Sequence, residues 1–199
     1  DYLLGGPLRE EIIYMPVHCF THIDPPSHVN INKATIDQIP LSDLIGIAKI
    51  IDFTDFPEKC EITARDLDER SRNIENGDII IIKTCHGIKY TLDEKDFWFQ
   101  SPYMGEDAGK WIVNKKVRAV GFDFPQDYAL RDFFTGIIPP IEQMHMHNIL
   151  LNNNIIQIEY LTNLDKIIED EIMIYAIPLR LEGMAGSPAR VFALRGGRF

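Results

Sequence analysis

Cysteine, basic charge and long apolar runs are all scarce in this chain, and each shortage argues against a class of protein. Only three cysteines occur (Cys19, Cys60 and Cys85). They cannot all pair, so a disulfide framework is not expected and a reducing, cytoplasmic setting is. Twenty Lys and Arg stand against thirty Asp and Glu, a formal charge of −10. That surplus repels phosphate backbones and anionic lipid surfaces, so no nucleic-acid partner and no membrane are expected. The longest apolar runs, "DIIIIKT" at 78–84 and "IMIYAIPL" at 172–179, are strand-sized and far short of the ~20 residues that span a bilayer. No signal peptide opens the chain, but it starts on Asp1 rather than on methionine, which leaves N-terminal truncation open. Internal repeats, low-complexity tracts and Gly/Ser-rich linkers are missing too. The 199 residues, 45% of them hydrophobic, are therefore read as one domain over 1–199.

What is present alternates between two periodicities. "EIIYMPV" (11–17), "IAKIIDF" (47–53), "DIIIIKT" (78–84), "VRAVGFD" (117–123), "IIQIEYL" (155–161), "EIMIYAIPL" (171–179) and "RVFAL" (190–194) read as strands, rich in Ile and Val and bounded by Gly, Asn, Asp or Pro. Helical spacing falls between several of them. Thr63 can cap "ARDLDERSRNI" (64–74), with Leu67 and Ile74 on one side and Asn76-Gly77 as the stop; "EDAGKWIVNKK" (106–116) and "IEQMHMHNILLNN" (141–153) are also helix-like. The expected fold class is α/β, a single-domain mixed sheet with flanking helices.

One segment carries chemistry. "HCFTHIDPPSH", His18 to His28, packs three histidines and an aspartate into eleven residues. In a straight strand His18 and His22 would stand roughly 13 Å apart at ~3.3 Å per residue, while ligands of one ion lie ~2.0–2.2 Å from it. The segment must bend if it chelates. A helical turn across 18–22, followed by extended chain to Asp24 and a stop at Pro25-Pro26, is one such bend; the sequence does not choose among bends. The plain alternative is a loop with scattered surface histidines.

That segment resembles the H-x-G-T-H-x-D-x-P-x-H signature of the putative cyclase family, best known for bacterial kynurenine formamidases, with isatin hydrolase as a relative. "NGDIIIIKT", "GEDAGKWIVNKKVRAVGFD", "HNILLNNNIIQIEYLTNL" and "YAIPLRLEGMAGSPARVFAL" are similar to later segments of the family, so the likeness runs from about residue 10 to 195. It implies a swivelling β/β/α-like fold. It also implies that His18, His22 and Asp24 hold one divalent ion, that Asp24, His147 and Glu159 hold a second, that Asp24 bridges them, and that His28 carries the proton. Such mixed imidazole and carboxylate ligation suits Zn²⁺ or Mn²⁺. The implied activity is hydrolysis of a carbon–nitrogen amide bond by water that the metal activates, as in an arylformamidase. Opening of a cyclic amide or lactone is the alternative, and a non-catalytic metal-binding protein is another.

Two positions depart from the signature: Phe20 replaces its glycine, and Pro25 an alanine. If the glycine serves a positive φ, Phe20 is strained by ~1–3 kcal/mol. If it makes room for substrate, Phe20 reshapes the pocket and becomes a substrate-binding residue; this second outcome is the expected one. Cys19 is expected to pack as a small hydrophobe. His145 competes with His147 as a ligand, because residues two apart on a helix point different ways. His86 follows a strand and either overhangs the pocket or lies at the surface. Phe97, Trp98 and Phe99 in "DFWFQ" either stack on substrate, close the core or lie between subunits, and with the family precedent they suggest a homodimer or homotetramer.

Overall fold

The computed structural model describes residues 11–194. Its elements in chain order are β1 (His22–Asp24), β2 (Ile45–Asp52), β3 (Glu61–Ile62), α1 (Ala64–Arg70), β4 (Ile79–Lys83), α2 (His86–Lys89), α3 (Lys95–Phe99), β5 (Tyr103–Met104), α4 (Glu106–Lys115), β6 (Ala119–Phe122), β7 (Ile156–Glu159), β8 (Glu171–Pro178) and β9 (Ser187–Leu194). Seven strands close into a barrel in the order β1-β7-β6-β4-β2-β8-β9, while β3 and β5 form a separate parallel pair. Pairing is parallel from β2 through β4 and β6 to β7 and antiparallel elsewhere. β1 completes the ring by pairing with β7 on one edge and β9 on the other. The expected mixed sheet with flanking helices is observed, with closure as an added feature.

The four consecutive isoleucines of β4 explain the two-layer core. Successive residues of a strand face opposite ways. Ile79 and Ile81 point into the barrel with Ile23, Ile156, Ile158, Ile172 and Ile174, whereas Ile80 and Ile82 pack outward against Leu67, Ile112 and Leu150. Two apolar faces on one strand require a continuous apolar run rather than an alternating one.

α1 begins as its sequence indicates, with Thr63 and Asp66 forming a reciprocal capping box. It stops at Arg70, four residues early, because Ser71 is already extended (ψ 147°) and Arg70 is engaged with Asp55 and stacked on Phe53 and Phe56. Ile74 still reaches the core, from non-helical chain. The expected strand over 11–17 does not form. Both edges of β1 are occupied, and Ile12, Ile13 and Tyr14 stay exposed. The expected helix over 141–153 divides into a 3-10 turn, Ile141–Gln143, and helical residues 145–152 that contain a π turn, His147–Leu151. No helix among the described residues is long and apolar enough to cross a membrane.

Candidate metal-binding active site

Strand parity builds the site. Ile23 of β1 and Ile158 of β7 point into the barrel, so His22, Asp24, Gln157 and Glu159 must face outward. The antiparallel register sets His22 opposite Glu159 and Asp24 opposite Gln157. An imidazole and two carboxylates thereby share one patch of barrel wall, and the helical residues 145–152 lay His147 over it. All four side chains are almost wholly buried: Asp24 0% exposed, His22 and Glu159 2%, His147 6%.

The distances converge on Asp24. Its Oδ1 accepts from His18 Nδ1 at 2.7 Å and lies 3.3 Å from His22 Nε2. Its Oδ2 makes no hydrogen bond and faces His147 Nε2 at 3.5 Å. Glu159 approaches His147 Nε2 at 3.1 Å and His22 Nε2 at 3.6 Å. His28, on the 3-10 turn Pro26–His28, stacks on the His18 ring at 3.8 Å and lies 5.4 Å from His147. Six of the seven residues expected in the site, His18, His22, Asp24, His28, His147 and Glu159, line one cavity of about 490 Å³; Phe20 does not.

Two imidazoles are oriented from behind. His22 Nδ1 donates to the Phe20 carbonyl at 2.8 Å, and His147 Nδ1 donates to Asp127 Oδ2 at 2.6 Å. Each acceptor fixes the proton on Nδ1 and leaves Nε2 as the free donor to a cation. Asp127 does more: its two oxygens also accept from the backbone N–H groups of Met146 and His147, so one carboxylate caps the helical segment and aims its histidine. Gln126 bonds both Glu159 and Gln157. Gly186 makes room for His18, since a Cβ there would lie 2.5 Å from that ring.

Burial opposes charge on every inner group, and mutual attraction overrides it on most. Asp24 is held well below the usual carboxylate range, because the imidazoles of His147, His18 and His22 outweigh its desolvation. His22, despite burial, is pushed up to about 9 by Asp24 and Glu159. His147 is raised well above the ordinary histidine value by Glu159, Asp127 and Asp24, again against burial. His28 goes the other way: burial takes it down to about 4, with the His18 and His147 charges adding to the effect. Its ring is therefore neutral at neutral pH.

The bend the segment needed is made by Phe20, at φ +53°. The first of the two outcomes for this position is the observed one. The ring is 65% exposed and does not line the cavity, so the expected substrate-binding contact is corrected to a backbone role. Comparing alanine with glycine here isolates the backbone term. Phe20→Gly should be more stable than Phe20→Ala by about 1 kcal/mol in urea denaturation, because only glycine takes this φ without a Cβ penalty. The opposite order would mean that the bend does not depend on left-handed geometry.

The remaining expectations divide. His145 lies outside the site and interacts with Glu106. His86 neither overhangs the cavity nor sits at the surface; it is buried and bonded to the Phe97 carbonyl at 2.8 Å. Cys19 bonds the Pro16 carbonyl. Phe97 is in the core, Phe99 packs on Phe134, and Trp98 of the aromatic run lines the cavity. Asp127, Gln126, Gln157 and Tyr160 were not singled out from sequence. The only available signal was polarity: Gln157 sits two residues before Glu159 on an apolar strand, and Gln126-Asp127 directly follows β6 and its Phe124 extension.

Donor atoms of His22, Asp24 and Glu159 lie within 4.8 Å of one another, as do those of His18, Asp24 and His28. With the unpartnered Asp24 Oδ2 between them, this is a donor set suited to divalent cations. A family model described as "Putative cyclase" matches residues 3–126. The chain belongs to this family. The matched stretch contains the 18–28 segment but stops before His147 and Glu159, which the fold itself brings in. "Cyclase-like protein 3" of Oryza sativa subsp. japonica is 30% identical over 200 residues, covering 96% of this chain and 67% of that protein. Kynurenine formamidase of Bacillus mycoides is 24% identical over 187 residues, covering 94% and 80%. A solved structure described as a "predicted metal-dependent hydrolase" from Bacillus stearothermophilus superposes with a TM-score of 0.74 at 30% identity, covering 97% of this chain and 84% of that one. An isatin hydrolase shares the fold at 23% identity and a TM-score of 0.74, over 90% of this chain and 72% of its own.

Proposed function

We propose that this cyclase-family member is a metal-dependent hydrolase that cleaves a carbon–nitrogen amide bond, with an N-formyl aryl amine as the nearest precedent among its relatives. The observation that carries the reading is the buried Asp24 carboxylate between two imidazole groups, with Oδ1 toward His18 and His22 and the unpartnered Oδ2 toward His147. His18, His22 and Asp24 would hold one divalent ion, Zn²⁺ or Mn²⁺, and Asp24, His147 and Glu159 a second, with Asp24 shared. When bound, such ions supply a Lewis acid for the carbonyl oxygen and lower the pKa of water. The chain's own residues supply the rest. His28, neutral and facing the donor set, accepts a proton from the attacking water and delivers it to the departing nitrogen. Trp98, Phe134 and Tyr160 hold the organic group and exclude bulk solvent from the reacting atoms.

Phe20 stands outside the cavity, which supports an open site over one blocked at that residue. The test is elemental analysis of gently purified protein, then a screen of formamides, cyclic imides, isatins and lactones with Zn²⁺ and Mn²⁺ supplied separately. Metal-dependent turnover of a formamide is expected. A metal-loaded protein that hydrolyses nothing would overturn the reading, and exclusive turnover of cyclic substrates would replace it with ring opening.

A further inference from the structure

Glu159 needs more than its place on β7 to serve a cation. Its Oε1 stands 3.1 Å from His147 Nε2 and its Oε2 3.6 Å from His22 Nε2, so a turn of the carboxylate about its last bond would spoil both approaches. Gln126 opposes that turn. Its side-chain amide donates one N–H to Glu159 Oε1 and the other to Gln157 Oε1 at 3.0 Å. Chemistry fixes both amides in this sense. Turned over, Gln126 would set its oxygen against the carboxylate, and Gln157 would set its NH₂ against that of Gln126.

Both glutamines are wholly buried, at 0% exposure. Gln126 Oε1 and Gln157 Nε2 have no hydrogen-bond partner among the described residues. An unpaired buried amide atom costs more than a neutral hydrogen bond returns, whereas an apolar pair of the same shape carries no such cost. The pair is therefore a poor device for stability. It is a good one for orientation. The Gln126 carbonyl accepts from the Met104 N–H at 2.8 Å, and the next residue, Asp127, holds His147 Nδ1 at 2.6 Å. One dipeptide thus reaches both residues that would share the second ion with Asp24, although these lie on different elements. A neutral amide suits the task, since it directs a carboxylate without bringing a positive charge to compete with the cation.

Resting on the two-ion reading proposed for this site, we infer that Gln126 and Gln157 are positioning residues. They hold Glu159 ready for the second divalent ion, and they lower, rather than raise, the stability of the metal-free fold.

The test compares the parent with Gln126→Met and with Gln126→Met/Gln157→Met, which keep side-chain length. Each protein is stripped of metal, titrated with Zn²⁺ against a chromogenic chelator, and unfolded in urea in its metal-free form. Both variants should bind the second ion ~10–100-fold more weakly and the first within about threefold of the parent. The single variant strands Gln157 and should unfold at lower urea; the double variant should match or exceed the parent midpoint. Binding of the second ion at parent affinity in the double variant would overturn the inference while leaving the two-ion reading intact. Equal weakening of both ions with a lower urea midpoint would make the pair structural and overturn it too. A parent that takes up fewer than two ions per chain brings down the two-ion reading itself, and the inference with it.

Discussion

Asp24→Ala is expected to empty both proposed metal positions and to lower turnover by at least ~10³-fold. The reason is geometric. Asp24 is fully buried, and its two oxygens point to different partners, one toward His18 and His22 and the other toward His147. Among the described residues, no other carboxylate lies against all three imidazoles. Deleting it removes a ligand from each position and leaves Glu159 to hold His22 and His147 without its help. His147→Ala should behave differently, weakening the position shared with Glu159 and sparing the one built on His18 and His22. Asp24→Asn keeps the volume and removes the charge, so it distinguishes lost ligation from lost packing; it too should lose metal while retaining the parent's circular dichroism. Two tightly held ions per chain in Asp24→Ala would sink the shared-carboxylate assignment.

The asymmetry between what the sequence displayed and what it hid follows from how each feature is encoded. His18, His22, Asp24 and His28 were legible because they are dense, and because the distance along extended chain forced a bend. The bend's form was not legible: a left-handed φ at a phenylalanine is a tertiary outcome, held by the pairing of β1 on both edges immediately after it. The apolar runs of β2, β4, β6, β7 and β8 announced strands, yet a run apolar on both faces cannot say which isoleucines point inward. Barrel closure depended on three residues, His-Ile-Asp, that carry no strand pattern because two of them belong to the site. The 11–17 segment shows the converse error, a strand-like pattern next to a barrel whose strands are already paired on both edges.

Asp127 illustrates the remaining blind spot. In sequence it is one more polar residue after a strand, twenty positions from His147; in space it holds the Nδ1 of that histidine and caps its helical segment. Nothing local distinguishes such a residue from a solvated loop aspartate. Orienting groups are found only once the group they orient has been placed.

His28→Ala should keep the parent's metal content while kcat falls roughly 10²–10⁴-fold, the usual scale of general acid–base assistance. The substitution is structurally mild. The Pro26–His28 turn is held by backbone bonds, with the His28 N–H donating to the Pro25 carbonyl at 3.0 Å, and does not need the imidazole. The ring itself is held by stacking on His18, on the cavity side of the donor set. Neutral at neutral pH, it can accept a proton there without first losing one. The same closeness makes it a rival ligand, since donor atoms of His18, Asp24 and His28 lie within 4.8 Å of one another. Measuring kcat and metal stoichiometry on one preparation resolves the rivalry. A loss of metal in step with activity makes His28 a ligand, unchanged turnover removes it from the mechanism, and lost turnover at full metal occupancy leaves proton transfer as its role.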